Sequence, residues 1–148
     1  MSEAIRQRIY SMCSSYAQAE LDSVLDFVDD DVDFVSHAPV TIFPCLGKQR
    51  GKAAVAKTLG TIHSHYEFLS YLPISMIIEG DHAAVIVQAG MKQRATGRSI
   101  QTRFAHFVRF REGRVIEFRE FLDSFDLVEQ VLGHEIQIVR TGSRGDSA

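Results

Sequence analysis

Along the chain, apolar positions change period. They fall at helical spacing before residue 67 and alternate with polar ones from Phe68 on. Ile5, Ile9, Met12, Cys13, Tyr16 and Ala17 or Ala19 recur every three or four residues, which predicts an amphipathic helix over 3–19. Asp22 predicts the cap of a second, short helix with Val24, Leu25, Phe27 and Val28 on its apolar face, stopped by Asp29-Asp30-Asp31. Val32, Phe34 and Ser36 alternate with Asp33 and Val35 as a short strand. His37 to Arg50 holds two prolines, Gly47 and no helical period, so it reads as a loop. Its Val40, Ile42, Phe43 and Leu46 make it greasy, and such a loop is expected to fold over an opening. A third helix starts at Gly51 and puts Val55, Leu59, Ile62 and Tyr66 on one face.

Phe68–Ile78, the turn Glu79-Gly80-Asp81 and His82–Ala95 predict a hairpin in which Ala83, Val85, Val87, Ala89 and Met91 share a face. A longer hairpin follows: Ser99–Arg111 and Arg114–Asp123 flank Arg111-Glu112-Gly113, read as a three-residue loop closed by a bulge. That loop pairs Phe110 with Arg114 and His106 with Phe118. Alternation then gives one face Ile100, Thr102, Phe104, His106, Val108 and Phe110, with Ile116, Phe118, Glu120 and Leu122 opposite. The other face carries Arg103, Phe107, Arg109 and Arg111 with Val115, Glu117, Arg119, Phe121 and Asp123. Ser124–Leu132 predicts a closing helical turn, and Ile136 with Ile138 an edge strand. The tail Thr141–Ala148 is expected to be disordered.

Helices segregated to one side of an antiparallel meander make an α+β domain. A twisted sheet of this size curls, and the three helices must fill its concave face. Where the fill is incomplete, a pocket remains. Candidates for its lining are Phe27, Phe34, Val55, Leu59, Ile62, Met91, Thr102, Phe104, Phe118 and Leu122.

The 148 residues suit one domain with a real core. A net charge of −3 with scattered basic residues gives no nucleic-acid footprint. The N-terminus lacks a basic-then-apolar signal pattern and no apolar run approaches a membrane span, so a cytoplasmic protein is expected, with Cys13 and Cys45 reduced.

The apolar hairpin face is interrupted by Thr102, His106 and Glu120, and the last two are the strongest chemical clue. Burial beside aromatics disfavours a charged carboxylate, which suits a general acid or base near neutrality; the bland alternative is a rim carboxylate or one paired with an Arg. His106 lies diagonal to Glu120 in this register, about 7–8 Å away, close enough for a carboxylate to orient an imidazole. A lone His on an apolar face is otherwise a satisfied core residue. His37, at a strand end over the hollow, is a candidate base, and Tyr16 can hydrogen-bond a substrate oxygen. His63 and His65 point to different sides of a helix and, with His82, are expected at the surface. The Asp29–Asp31 run reads as solvated, so no metal site is expected. No phosphate loop, nucleophile elbow or CxxC is present. The charged hairpin face also bears Phe107 and Phe121, which suggests a homodimer through that face.

Tyr16…Leu21-Asp22…Phe27-Val28-Asp29-Asp30-Asp31-Val32-Asp33-Phe34, the helix start Gly51-Lys52-Ala53-Ala54 and the ending His106 to Asp123 resemble the SnoaL-like branch of the nuclear-transport-factor-2-like superfamily, with its polyketide cyclases and relatives of ketosteroid isomerase. The resemblance implies a single domain over 1–132 followed by an extension over 133–148. It also implies a conical, curved antiparallel sheet wrapped around three N-terminal helices (a cystatin-like α+β barrel), an apolar pocket, a dimer and no cofactor. Tyr16 sits where ketosteroid isomerases place an oxyanion-hole tyrosine, and His106 where they place a protonated aspartic acid. Their base, a carboxylate ending the first strand, falls near Ser36, which cannot do that work unaided. His37, or Glu120 from across the pocket, is the candidate substitute.

The leading reading is a cofactor-independent enzyme doing acid–base chemistry (isomerisation, cyclisation or hydration) on an apolar carbonyl-bearing or polycyclic ligand. The alternative is a non-catalytic ligand-binding or dimerisation module. An open concave face with Glu120, His106 and Tyr16 converging favours the enzyme; one filled by Phe104, Phe118 and Met91 favours the module.

Overall fold

The structure is a computed structural model that describes residues 2–142. Most of the tail expected to be disordered lies outside those residues. Helix α1 (Ser2–Ala17) buries Ile5, Ile9 and Cys13, the inner edge of the predicted stripe. Helix α2 (Leu21–Leu25) follows a corner at Ala19, whose φ is 59°. Asp22 lies inside its first turn and does not cap it; Glu20 precedes the helix without a side-chain cap bond.

The triple-Asp run does not end a helix. Strand β1 (Val28–Ser36) includes it, because the run sits on an irregular stretch between Val28 and Asp33 where the carboxylates face outward. Asp29 Oδ1 there accepts from the Asp31 backbone N–H at 2.9 Å and from Arg111 at 3.1 Å, and those contacts hold its carboxyl below the usual range. The greasy loop ends in a short strand that the sequence did not announce, β2 (Lys48–Arg50), antiparallel to β1. Gly51, at φ 86°, turns the chain into helix α3 (Lys52–His65).

Four long strands follow: β3 (Tyr66–Glu79), β4 (His82–Gln93), β5 (Ser99–Arg111) and β6 (Arg114–Leu122). The six-stranded sheet runs in the order β2-β1-β6-β5-β4-β3. Its neighbours are antiparallel except β1 and β6, which are parallel. The curved sheet holds α1, α2 and α3 on its concave side, the α+β architecture expected from the element order. Helix α4 (Ser124–Leu132) closes the chain, capped by Asp123, which accepts from the Asp126 N–H, and by Gly133 in the left-handed region. The expected edge strand at Ile136 and Ile138 is absent: the Ile136 N–H goes to the Glu129 side chain, not to a ladder.

The central hairpin departs from its predicted register. Arg111 pairs with Arg114, so the turn is the two-residue Glu112-Gly113 with both φ positive, 51° and 76°. That is type I′ geometry, whose twist matches the flanking strands. A bulge between Arg109 and Phe110 then leaves Ile116 unpaired. Beyond the bulge each β5 residue meets a partner two further along β6 than predicted, so His106 faces Glu120 and Phe104 faces Leu122. An even shift keeps the faces. Near the turn the shift is one residue, so Val115, expected on the outer face, is buried.

Candidate functional site

Three strands bring Ser36, Glu120 and His106 side by side. Ser36 on β1 pairs with Glu120 on β6, and Glu120 pairs with His106 on β5. The Ser36 hydroxyl donates to Glu120 Oε1 at 2.7 Å and itself accepts from the Ala38 backbone N–H at 3.2 Å. The His106 ring meets Glu120 through Nε2 and Oε2, 2.9 Å apart. The two side chains are 6% and 12% exposed, so the pair is shielded from bulk water. An ionised carboxylate can only accept, and toward it Nε2 is the donor. Nδ1 has no hydrogen-bond partner among the described residues.

His106 and Glu120 form the polar end of an apolar cavity of about 150 Å³, with Ser36 behind Glu120. Met12, Cys13 and Tyr16 of α1, Val55, Leu59 and Ile62 of α3, and Phe34, Phe104 and Phe118 of the sheet line it. Ala38, Phe43 and Leu46 from the greasy loop lie over it, as that composition predicted. Leu127 of α4 closes another side. The loop is pinned there: the Cys45 carbonyl accepts from the Thr58 hydroxyl at 3.0 Å and from the Gln49 side chain at 3.1 Å.

Two tyrosines flank the polar end. Their rings are 4.6 Å apart, and Tyr71 stands 6.3 Å from His106, ring centre to ring centre. Burial above all, then the charge of Glu120, pushes the Tyr16 hydroxyl far above the usual phenol range. Burial, then Tyr16 and Glu120, does the same to Tyr71. Both therefore stay protonated and can donate. Burial pushes the Cys13 thiol up to about 12, which leaves it unreactive at neutral pH. Among the described residues no three His, Cys, Asp or Glu side chains gather as a metal cluster.

The profile of the SnoaL-like domain matches residues 9–118. The chain belongs to the SnoaL-like domain family. A solved structure from Rhodopseudomonas palustris, provisionally named an isomerase, is 30% identical, with 88% of this chain and 97% of that one covered and a TM-score of 0.79. TerC, co-crystallised with polyporic acid, is 16% identical over 87% of this chain and 98% of its own, TM-score 0.78. An epoxide hydrolase from M. tuberculosis is 16% identical over 90% and 92%, TM-score 0.72. No curated protein matches. At such identities the last two share the fold alone, the nuclear-transport-factor-2-like cone.

In this SnoaL-like chain the cavity gathers Tyr16, His106 and Glu120 but not His37. Ser36 points inward, so the next residue points out: the His37 ring stacks on Phe121 of the outer face at 4.4 Å, and only its backbone N–H reaches Glu120, at the carbonyl. Glu120 does not reach from across the pocket. It stands beside Ser36 on the adjoining strand. Of the expected lining, Phe34, Val55, Leu59, Ile62, Met91, Phe104 and Phe118 border the cavity, whereas Phe27, Thr102 and Leu122 do not. Phe27 sits half-buried in the turn before β1, Thr102 is buried beside Ala89 on β4, and Leu122 packs into the second core cluster with Phe104.

Two residues escaped the reading. Tyr71 was hidden because strict alternation from Phe68 points it outward; irregularities between Phe68 and Ser70 and between Pro73 and Ser75 turn it inward. His63, expected at the surface, is buried between Tyr16 and Phe68, with ring centres 4.5 and 4.8 Å away, and its Nε2 has no partner. His65 and His82 are exposed, as expected.

Proposed function

We propose that the cavity is the active site of a small-molecule enzyme that moves a proton on an apolar, carbonyl-bearing ligand. The observation that carries this is the Glu120–His106 pair, backed by Ser36, at the polar end of an otherwise apolar hollow. With Nε2 committed to Glu120, His106 Nδ1 is the base, and Glu120 stabilises the imidazolium that forms, the division of labour of a carboxylate–histidine pair. The Tyr16 and Tyr71 hydroxyls donate to the oxygen that gains charge. Proton removal, hold and return is isomerisation when the proton returns to a different carbon. Family membership and the 30% identical structure named as an isomerase support the same reading.

Native mass spectrometry of the purified protein would show what ligand accompanies it. Catalysis is tested without that knowledge by following α-proton exchange of small cyclic ketones in D2O by NMR. His106→Ala and Glu120→Gln should each slow protein-catalysed exchange about 10²–10⁴-fold. Full exchange in both variants would remove the assignment.

The outer sheet face supports a second copy of the chain as partner. Ile77, Ile86, Phe107 and Phe121 are exposed on it, among the Arg109–Glu117 and Arg119–Asp33 pairs. Apolar groups rimmed by charge are the composition of a docking face.

A further inference from the structure

Size and charge narrow the ligand further, given that the cavity is the active site. We infer that it accepts an uncharged, single-ring molecule bearing one oxygen, and refuses both anions and fused polycycles. A cavity of about 150 Å³ is the volume that holds one benzene-sized molecule. Its walls are interlocked and cannot retreat cheaply. Tyr16 is wedged edge-on between His63 and Phe68, at 4.5 and 4.8 Å. On the other side Phe34 and Phe118 stack face to face at 5.1 Å, and Phe118 leans on His106 at 4.6 Å. Seating a second or third ring inside the hollow means breaking these contacts and displacing Tyr16 from the polar end it serves.

Charge gives the second limit. Among the described residues the lining holds no Lys or Arg, and its one carboxylate is Glu120. A carboxylate or phosphate would lose its water against apolar walls and meet a like charge, with nothing to neutralise it. A single neutral oxygen, by contrast, finds the two tyrosine hydroxyls, while the rest of the ring meets aromatic and aliphatic carbon.

Three probes decide it: cyclohexanone, cyclohexanecarboxylate and a four-ring steroid ketone, titrated at pH 7 by ligand-observed NMR with intermolecular NOEs to locate them. The expected result is saturable millimolar binding of cyclohexanone, with NOEs to Tyr16, Tyr71 and Phe118. The carboxylate should bind at least about tenfold more weakly, and the steroid ketone should not displace cyclohexanone. Displacement by the steroid, equal binding of the carboxylate, or no NOE from cyclohexanone to these rings would each overturn the inference. The catalytic reading fails separately. Steroid displacement with exchange still dependent on His106 removes only the size limit, whereas cyclohexanone seated in the cavity with exchange indifferent to His106 removes only the chemistry.

Discussion

His63 shows how one side chain can carry a condition on the whole fold. Its imidazole is buried against Tyr16 and Phe68 and its Nε2 is unpartnered. Burial first, then the nearby Arg94 charge, holds it below the ordinary histidine value of 6.5. Below about pH 6.5 the unfolded chain takes up a proton that the folded imidazole refuses, so folding loses stability with falling pH until the depressed folded value is passed. His63→Leu keeps the volume and removes the titration. The melting temperature should then fall less steeply between pH 6.5 and 5 than in the parent. At pH 7.5 the variant should be no less stable, since an unsatisfied buried nitrogen has gone. Identical slopes in a calorimetric pH series would clear His63 of this role. The sequence hid it because two histidines two apart on a helix resemble a solvated pair, and only Tyr16 of α1 and Phe68 of β3 cover one of them.

At the level of elements, the central hairpin sets the site, and its turn sets the hairpin. Glu112 occupies the first position of a type I′ turn at φ 51°, where a residue with a side chain is strained and Asn is favoured. Glu112→Asn should therefore raise stability by about 0.5 kcal/mol, a part of the strain that a non-glycine residue carries in the left-handed region. Urea unfolding measures this, and an unchanged midpoint would argue that the turn is not strained. Alternation along β5 was legible and put His106 on the concave face with Phe104. Partner identity was not, because bulges add residues that alternation cannot count. The same effect concealed Tyr71 on β3 and turned Val115 inward on β6. His37 followed a different rule: once Ser36 faces in, its neighbour faces out.

At the scale of the molecule, the sheet has two lives. Its concave face holds the helices and the cavity, and its outer face exposes Phe107 at 52% and Phe121 at 44%, the latter covered in part by His37. If a second copy docks there, Phe107→Glu should shift the sedimentation of the protein toward the monomer while leaving its circular dichroism unchanged. A parent chain that sediments as a monomer at every concentration would dispose of the dimer. No described helix is long and apolar enough to cross a membrane.

Local periodicity was enough to specify three helices, a long meander and an α+β class, because burying an amphipathic stripe or a pleated face leaves few arrangements. It also chose the side of the sheet for Glu120 and His106, since an even slip of register cannot turn a residue over. Tertiary structure alone decided their partners. The parallel pairing of β1 with β6 brought Ser36 to Glu120, a turn and a bulge brought His106 opposite it, and interrupted strands brought Tyr71 in. The Ser36–Glu120 contact joins residues 84 positions apart, which no window along the chain spans; His106 and Glu120 lie 14 apart in one hairpin, whose expected register had already set them diagonal.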